Sequence, residues 1–294
     1  MTVRRAALER DLVAEVRAAL REAPTVVARF ERLVALVDGL GSCVLAVSGG
    51  IDSTFLLVVA STRLGERCLA ITADSAALPA WDRADARTAG VAAGKAGTGW
   101  RVVPTREVDD PRYADNPRSR CYFCKAEVYG TLDRIARAEG FAWVVDGANA
   151  TDAGAADRPG MAAAETIGVR SPLAEADLSK DDVRMLARAL GMPGWDRPSS
   201  ACLSSRIPHG ARITPERLRR VETAELGIRA LGFGQVRVRD LGDVARVEVE
   251  ATETDRLLGT AGAVDAVIRS AGFGGWAAGT YAGRGAGDVA NVGR

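Results

Sequence analysis

The sequence predicts an α/β protein: a parallel sheet covered by helices on both faces, followed by a smaller α+β domain. Three observations carry this. Short apolar runs of strand character alternate with helical patterns between residues 43 and 145, the order expected of a parallel sheet. The first run passes through a glycine turn straight into a helix, and such folds hold ligands at the carboxyl ends of their strands. From residue 215 the order becomes helix, two strands in quick succession, helix.

Residues 6–40 are helix formers with apolar positions at threes and fours (Leu12, Val16, Leu20; Phe30, Leu33, Val34, Val37), a helical preface closed by Gly39 and Gly41. Strand 43–47 meets Ser48-Gly49-Gly50 and the helical stretch 53–64. The unit repeats as strand 68–72, helix 82–94 and strand 100–103, then helix 124–139 and strand 141–145. Residues 148–161, rich in Ala, Asp and Gly, read as an active-site loop. A helix over 179–190 follows, with Ser179 as N-cap ahead of Asp181 and Asp182, whose charges suit a helix N-terminus. A Ser- and Pro-dense loop, 195–210, leads to helix 215–231, strands 235–239 and 245–249, and helix 254–271. The Gly- and Ala-rich remainder, 272–294, has little to bury and reads as a partly disordered tail.

Composition narrows the function classes. The 294 residues hold 39 Lys plus Arg against 38 Asp plus Glu, a net charge of +1, which disfavours nucleic acid as the main partner. Mean hydropathy is near zero. No apolar stretch approaches the ~20 residues of a membrane helix, and no apolar leader follows Met1, so a cytoplasmic protein is expected. The chain has five cysteines, an odd number that suits free thiols in a reducing compartment better than a disulfide framework.

Ser48-Gly49-Gly50-Ile51-Asp52-Ser53-Thr54 follows a strand and opens a helix. Its backbone N–H groups and the helix N-terminus can face an anion, and glycines let the backbone approach closely. It lacks the Gly-Lys-Ser/Thr of a Walker A loop. The plain alternative is a tight turn with a capping serine. Cys121-Tyr-Phe-Cys124, with Lys125 next, falls near a helix start, where the dipole favours thiolates. Cys202 lies in Pro198-Ser-Ser-Ala-Cys-Leu-Ser-Ser-Arg206. The CxxC alone fits a redox pair or half a zinc site, and the single histidine, His209, is all that could complete a zinc tetrad. Three thiolates could also hold a 4Fe-4S cluster with one iron open. Cys43 and Cys68 fall inside strands and read as core.

The loop resembles the S-G-G-x-D-S pyrophosphate loop of the adenine-nucleotide alpha-hydrolase superfamily, whose domain is Rossmann-like. Together with Thr72-Ala-Asp-Ser75, Arg120-Cys-Tyr-Phe-Cys-Lys125, Asp146-Gly-Ala-Asn149, Asp157-Arg-Pro-Gly160, Arg170-Ser-Pro-Leu173, Ala201-Cys-Leu-Ser-Ser-Arg206 and Val236-Arg-Val-Arg239, it resembles the LarE-type ATP-dependent sulfur transferases over roughly residues 40–272. The resemblance implies an ATP-binding domain at 41–204, between the preface at 1–40 and the α+β domain at 205–294. It implies adenylation of a carboxylate of pyridinium-3,5-biscarboxylic acid mononucleotide, a precursor of the nickel-pincer nucleotide cofactor, and then displacement of AMP by sulfur. Ser48, Gly49, Gly50, Asp52 and Ser53 would hold ATP and Mg²⁺, Asp52 supporting the metal, with Asp74, Gly147 and Asn149 near the adenosine. Arg206, Arg237 and Arg239 would face phosphate or substrate carboxylates, although alternating arginines on a strand are also read as a solvated face.

In the family's sacrificial form a cysteine five residues before the Arg of S-S-R gives up its own sulfur, and here that position is Ala201. Cys121, Cys124 and Cys202 match the form that delivers sulfide from a 4Fe-4S cluster instead. Where the family often has an Asp-containing strand near its C-terminus, this chain reads Trp276-Ala-Ala-Gly-Thr-Tyr281. A small-molecule nucleotide substrate, an unidentified sulfide donor and a homo-oligomer are expected. The competing readings are a tRNA-thiolating enzyme, an ammonia-dependent amidating synthetase with the same loop, and a nucleotide sensor with structural zinc.

Overall fold

The computed structural model describes residues 10–153, 159–198 and 200–281. The chain divides into two compact units, Met1–Ser200 and Ala201–Arg294.

The preface of the first unit is two helices, α1 (Leu12–Ala19) and α2 (Pro24–Gly39). Pro24 stands at the start of α2, where its missing N–H removes no intrahelical bond and its fixed φ suits a helix. Then follow β1 (Cys43–Ala46), α3 (Ile51–Leu64), β2 (Cys68–Asp74), α4 (Ala80–Lys95) and β3 (Gly99–Pro104). The single turn α5 (Pro111–Ala114), the long α6 (Arg120–Glu139) and β4 (Trp143–Val145) come next. Short helices α7 (Ala150–Ala153), α8 (Pro159–Ile167) and α9 (Pro172–Glu175) precede α10 (Lys180–Ala189). The strands form one sheet in the order β3-β2-β1-β4, and each neighbouring pair is parallel.

The central strands β1 and β2 are buried on both faces, as their apolar side chains require. Side chains alternate across a strand. Cys43 and Leu45 of β1, with Cys68 and Ala70 of β2, therefore join a core with Phe30, Leu33, Phe55, Val59 and Leu186. Val44, Leu69 and Ile71 enter a second core with Leu132 and Ala136 of α6. Phe30 and Phe55 meet with centroids 6.1 Å apart and tie the preface to α3. Cys43 and Cys68 are fully buried core residues opposite one another, and a hydrogen bond with Cys43, followed by burial, pushes the Cys68 thiol well up.

Three expectations need correction. The span 148–161 is not one irregular loop: α7 lies within it and α8 begins in it. Ala163 and Ala164 are small enough to bury against α6 and make this alanine-rich stretch a packed helix; Asp157 and Arg158 lie outside the described residues. The helix expected over 254–271 is two, α12 (Thr254–Gly259) and α13 (Ala261–Ser270). They part at Thr260, whose hydroxyl bonds back to the carbonyls of Arg256 and Leu257. The supposed tail contains β7 (Gly275–Thr280), because backbone pairing rather than side-chain burial holds this strand; residues 282–294 lie outside the description.

The second unit has a 3₁₀ turn at Leu203–Arg206, α11 (Pro215–Ala230), β5 (Val236–Asp240), β6 (Val244–Val249), α12, α13 and β7. Its sheet runs β5-β6-β7, with β5 antiparallel and β7 parallel to β6. Among the described residues, no helix is long and apolar enough to cross a membrane.

Asp240 is a hub of this unit. Fully buried, it accepts from Arg217 Nη2 at 2.8 Å and Nε at 3.0 Å, from Arg220 Nη2 at 2.6 Å and from Gly242 N at 3.0 Å. Burial opposes ionisation, but the Arg217 and Arg220 hydrogen bonds outweigh it and hold the carboxyl below its ordinary value. A depressed folded pKa adds stability that is fully present above the unfolded value of about 3.9 and is lost as pH falls through the folded value. Asp240→Asn is therefore expected to destabilise the protein at pH 7 by about 3–5 kcal/mol, with a smaller difference from wild type below pH 4, as read by urea denaturation across pH.

Candidate active site

The turn between β1 and α3 lies at the carboxyl edge of the sheet. Gly50 is the N-cap of α3 and the 14-residue helix runs away from it, so unsatisfied N–H groups and the positive end of the helix dipole face the turn. Ser53 Oγ donates to Gly50 O at 3.0 Å and accepts from Ser48 N at 3.2 Å, and Ser48 Oγ lies 3.2 Å from it. Gly49 has φ +84°, and a Cβ there would lie 2.0 Å from the Asp82 carbonyl oxygen of α4. From the other side, a Cβ on Gly147 would lie 2.7 Å from Ser53 N and 2.8 Å from its Cα. The loop is thus pressed between two backbones.

Asp52 sits in the first turn of α3. One carboxylate oxygen is ion-paired with Lys180 Nζ, while Oδ1 is buried without a hydrogen-bond partner. An open carboxylate oxygen beside a phosphate-type turn fits Mg²⁺, which takes few protein carboxylates and completes its shell with water and phosphate. Sequence reasoning missed Lys180. It directly follows the Ser179 N-cap, whose capping box with Asp182 is formed; its partner lies 128 residues away.

Asp74 ends β2 and pairs with Arg83 at 2.8 Å. Asp146, just past β4, is buried; its carboxylate accepts from Tyr129, from Ser171 Oγ at 2.7 Å and from Ala148 N at 3.1 Å. Asn149 is also buried, and its side chain accepts from Asp152 N at 3.1 Å, fixing the turn after Gly147. Burial pushes the Tyr129 phenol up, and Tyr129, followed by Asp146, pushes the Lys125 ammonium up. That ammonium lies 4.9 Å from the Tyr129 ring centroid. Lys125 and Tyr129 are one helical turn apart on α6, a spacing that could have suggested their contact from sequence.

Cys121 and Cys124 lie in the first turns of α6, exposed and half-buried respectively. Gly160 of α8 packs on Cys121 and Lys125: a Cβ there would meet Lys125 Cγ at 3.1 Å and the Cys121 carbonyl oxygen at 3.7 Å. Cys202, in the second unit, is exposed. Among the described residues, no three His, Cys, Asp or Glu side chains are gathered to hold a metal ion.

Within the second unit Arg206 is 2% exposed. It forms a two-pronged pair with Glu225, at 2.8 and 2.9 Å, and donates to the carbonyls of Ala201 at 2.6 Å and Cys202 at 3.1 Å. Glu225 also accepts from Val238 N at 2.9 Å. Arg237 and Arg239 share one face of β5, where Arg237 is buried and Arg239 half-buried. Arg239 pairs with Glu248 at 3.0 Å and donates to Ser205 O at 3.1 Å. Arg237, 7% exposed, donates to the Tyr281 hydroxyl at 3.3 Å and leaves Nε buried without a partner. Burial, with Arg206 adding, pushes its guanidinium below its ordinary value. A desolvated cation of this kind is a ready partner for an anion.

The first unit is an α/β domain with an anion-ready glycine turn on a parallel sheet, and the second a small α+β unit built around Arg206 and Arg237. No family model matches the chain. An uncharacterized protein of Synechocystis is 43% identical over 221 residues, 75% of this chain and 81% of that protein. The pyridinium-3,5-bisthiocarboxylic acid mononucleotide synthase of Lactiplantibacillus plantarum is 34% identical over 252 residues, 85% of this chain and 89% of that enzyme. An uncharacterized protein of Methanocaldococcus jannaschii is 29% identical over 207 residues, 70% of this chain and 77% of that protein. The chain belongs to the family of the pyridinium-3,5-bisthiocarboxylic acid mononucleotide synthase.

The two loop glycines make a controlled comparison. Gly49→Ala combines positive φ with a backbone clash and is expected to cost at least about 2 kcal/mol. Gly50 has φ −71° and only Ser48 Oγ near, at 3.6 Å, so Gly50→Ala should cost less than about 1 kcal/mol. Chemical denaturation of the two variants reads the difference.

Proposed function

We propose that the chain is an ATP-dependent sulfurtransferase that makes a thiocarboxylate from a carboxylate of pyridinium-3,5-biscarboxylic acid mononucleotide, for nickel-pincer nucleotide biosynthesis. Its relative's activity supports this reading. The observation that carries it is the buried, unpartnered Oδ1 of Asp52 beside Lys180 in a glycine turn at the N-terminus of α3. In this reading the turn's N–H groups and Lys180 take the β- and γ-phosphates and Asp52 takes Mg²⁺. Asp74, Gly147 and Asn149 border the adenosine.

A substrate carboxylate oxygen attacks the α-phosphorus, the bond to the bridging oxygen breaks and pyrophosphate leaves. The mixed anhydride then exposes a carbonyl carbon with AMP as leaving group, and sulfide displaces it to give the thiocarboxylate. Arg237 and Arg239 hold the substrate's anionic groups. Arg206, locked by Glu225, acts at one remove by fixing the backbone of Ala201 and Cys202. Cys121, Cys124 and Cys202 are the residues that would hold a 4Fe-4S cluster, and such a cluster would supply sulfide. Three thiols suit such a cluster, and Ala201 has no sulfur to sacrifice.

Asp52→Ala is expected to lower substrate-dependent pyrophosphate release by at least about 100-fold, through loss of metal-supported charge stabilisation, in a protein that still melts cooperatively. Unchanged release would reject the assignment of the loop. Anaerobically reconstituted protein should bind about four irons per chain, the number in one such cluster, and each of Cys121→Ala, Cys124→Ala and Cys202→Ala should lose them. With excess sulfide it should turn over repeatedly. A yield of one sulfur per chain, with Cys202 converted to dehydroalanine, would reject the cluster while keeping the sulfurtransferase.

A further inference from the structure

Glu107 lies in the 3₁₀ turn Glu107–Asp109 just after β3, and it is 1% exposed. Oε1 accepts the hydroxyl of Ser75; Oε2 is buried without a hydrogen-bond partner. Burying a carboxyl group on so few hydrogen bonds costs free energy that an apolar residue would avoid. Residues that break such rules concentrate at functional sites.

What Glu107 organises is the turn after β2. Ser75, itself buried, accepts from Ala77 N at 2.9 Å through the same hydroxyl, and its carbonyl accepts from Leu78 N at 3.0 Å. Arg83 closes the turn by donating to the carbonyls of Ser75 and Leu78, both at 3.3 Å, and it pairs with Asp74 at 2.8 Å. Thr105 N donates to Asp74 O at 3.3 Å, two residues before Glu107. Asp74 and Ser75 are therefore held by Arg83 from α4 and by Glu107 from the end of β3. The carboxyl end of the strand next to a phosphate turn is where α/β folds seat the ribose, by an acidic side chain.

We propose that Glu107 is a positioning residue for the nucleoside end of ATP. It acts through Ser75 on the turn 75–78 and on the adjacent Asp74, and it sets affinity for base and ribose without entering the chemistry. This rests on the reading of Asp74 as an adenosine neighbour. The phosphate turn is built from other residues, so the two ends of the nucleotide are separable.

The experiment measures binding of ATP and of inorganic tripolyphosphate, each with Mg²⁺, to the full chain and to Glu107→Leu, Ser75→Ala and Glu107→Gln, with thermal melting to establish folding. Glu107→Leu and Ser75→Ala cut the same link from opposite sides. Both should weaken ATP by about tenfold, the scale of one hydrogen bond, with tripolyphosphate unchanged. KM for ATP should rise in pyrophosphate release while kcat at saturating ATP is unchanged. Glu107→Gln, whose amide oxygen still accepts from Ser75, should restore ATP binding. Wild-type ATP affinity in a folded Ser75→Ala overturns the proposal, as does equal loss of ATP and tripolyphosphate. Should Glu107→Leu not fold, Ser75→Ala and the glutamine variant decide. A wild-type chain that binds no ATP would overturn the function proposed above, a result distinct from either.

Discussion

The glycine turn from Ser48 to Ser53 is clamped between two backbones. The Asp82 carbonyl comes so near Gly49, and Gly147 so near Ser53, that neither glycine position has room for a Cβ. Packed interiors do not yield continuously, so the turn cannot drift without moving α4 or the strand end that carries Asp146. Asp146 is itself fixed by Tyr129 and Ser171. The clamp therefore links the turn to α6, the helix with Cys121, Cys124 and Lys125. Pre-organisation of this kind is what anion binding through backbone N–H groups requires, since groups already aimed at the charge need no reorganisation when it arrives.

The second unit is held on another principle. Here buried carboxylates meet arginines: Glu225 with the equally buried Arg206, and Glu248 and Asp240 with the half-buried Arg239, Arg217 and Arg220. Buried pairs add little net stability but are strongly destabilising to break, and they specify one arrangement. The Arg206–Glu225 pair fixes the placement of Ala201 and Cys202, gripped by Arg206 through their carbonyls.

Parts of this were legible in the sequence for local reasons. The strand, glycine turn and helix at Ser48 to Ser53 lie within a few residues of each other, and the Ser179 capping box is a three-residue relation. The burial of Cys43 and Cys68 followed from their place in apolar strands. What stayed hidden depends on distant partners: Lys180 is defined by Asp52, and Glu107 by Ser75, 32 residues before it. Alternation alone put Arg237 and Arg239 on one face of β5, but it could not say that Arg237 is buried there. Helix α8 and strand β7 escaped because alanine and glycine carry no hydrophobic period, although small residues are what close packing on α6 and pairing along β6 permit.

Activation of a carboxylate as its adenylate fixes the fate of one carboxylate oxygen. Substrate carrying ¹⁸O in its carboxylates is converted with ATP and a sulfide source, and the nucleotide product is weighed. AMP should bear one ¹⁸O per thiocarboxylate formed, because the carboxylate oxygen that attacks phosphorus leaves with it. Unlabelled AMP, or ADP with labelled phosphate, would contradict adenylate formation.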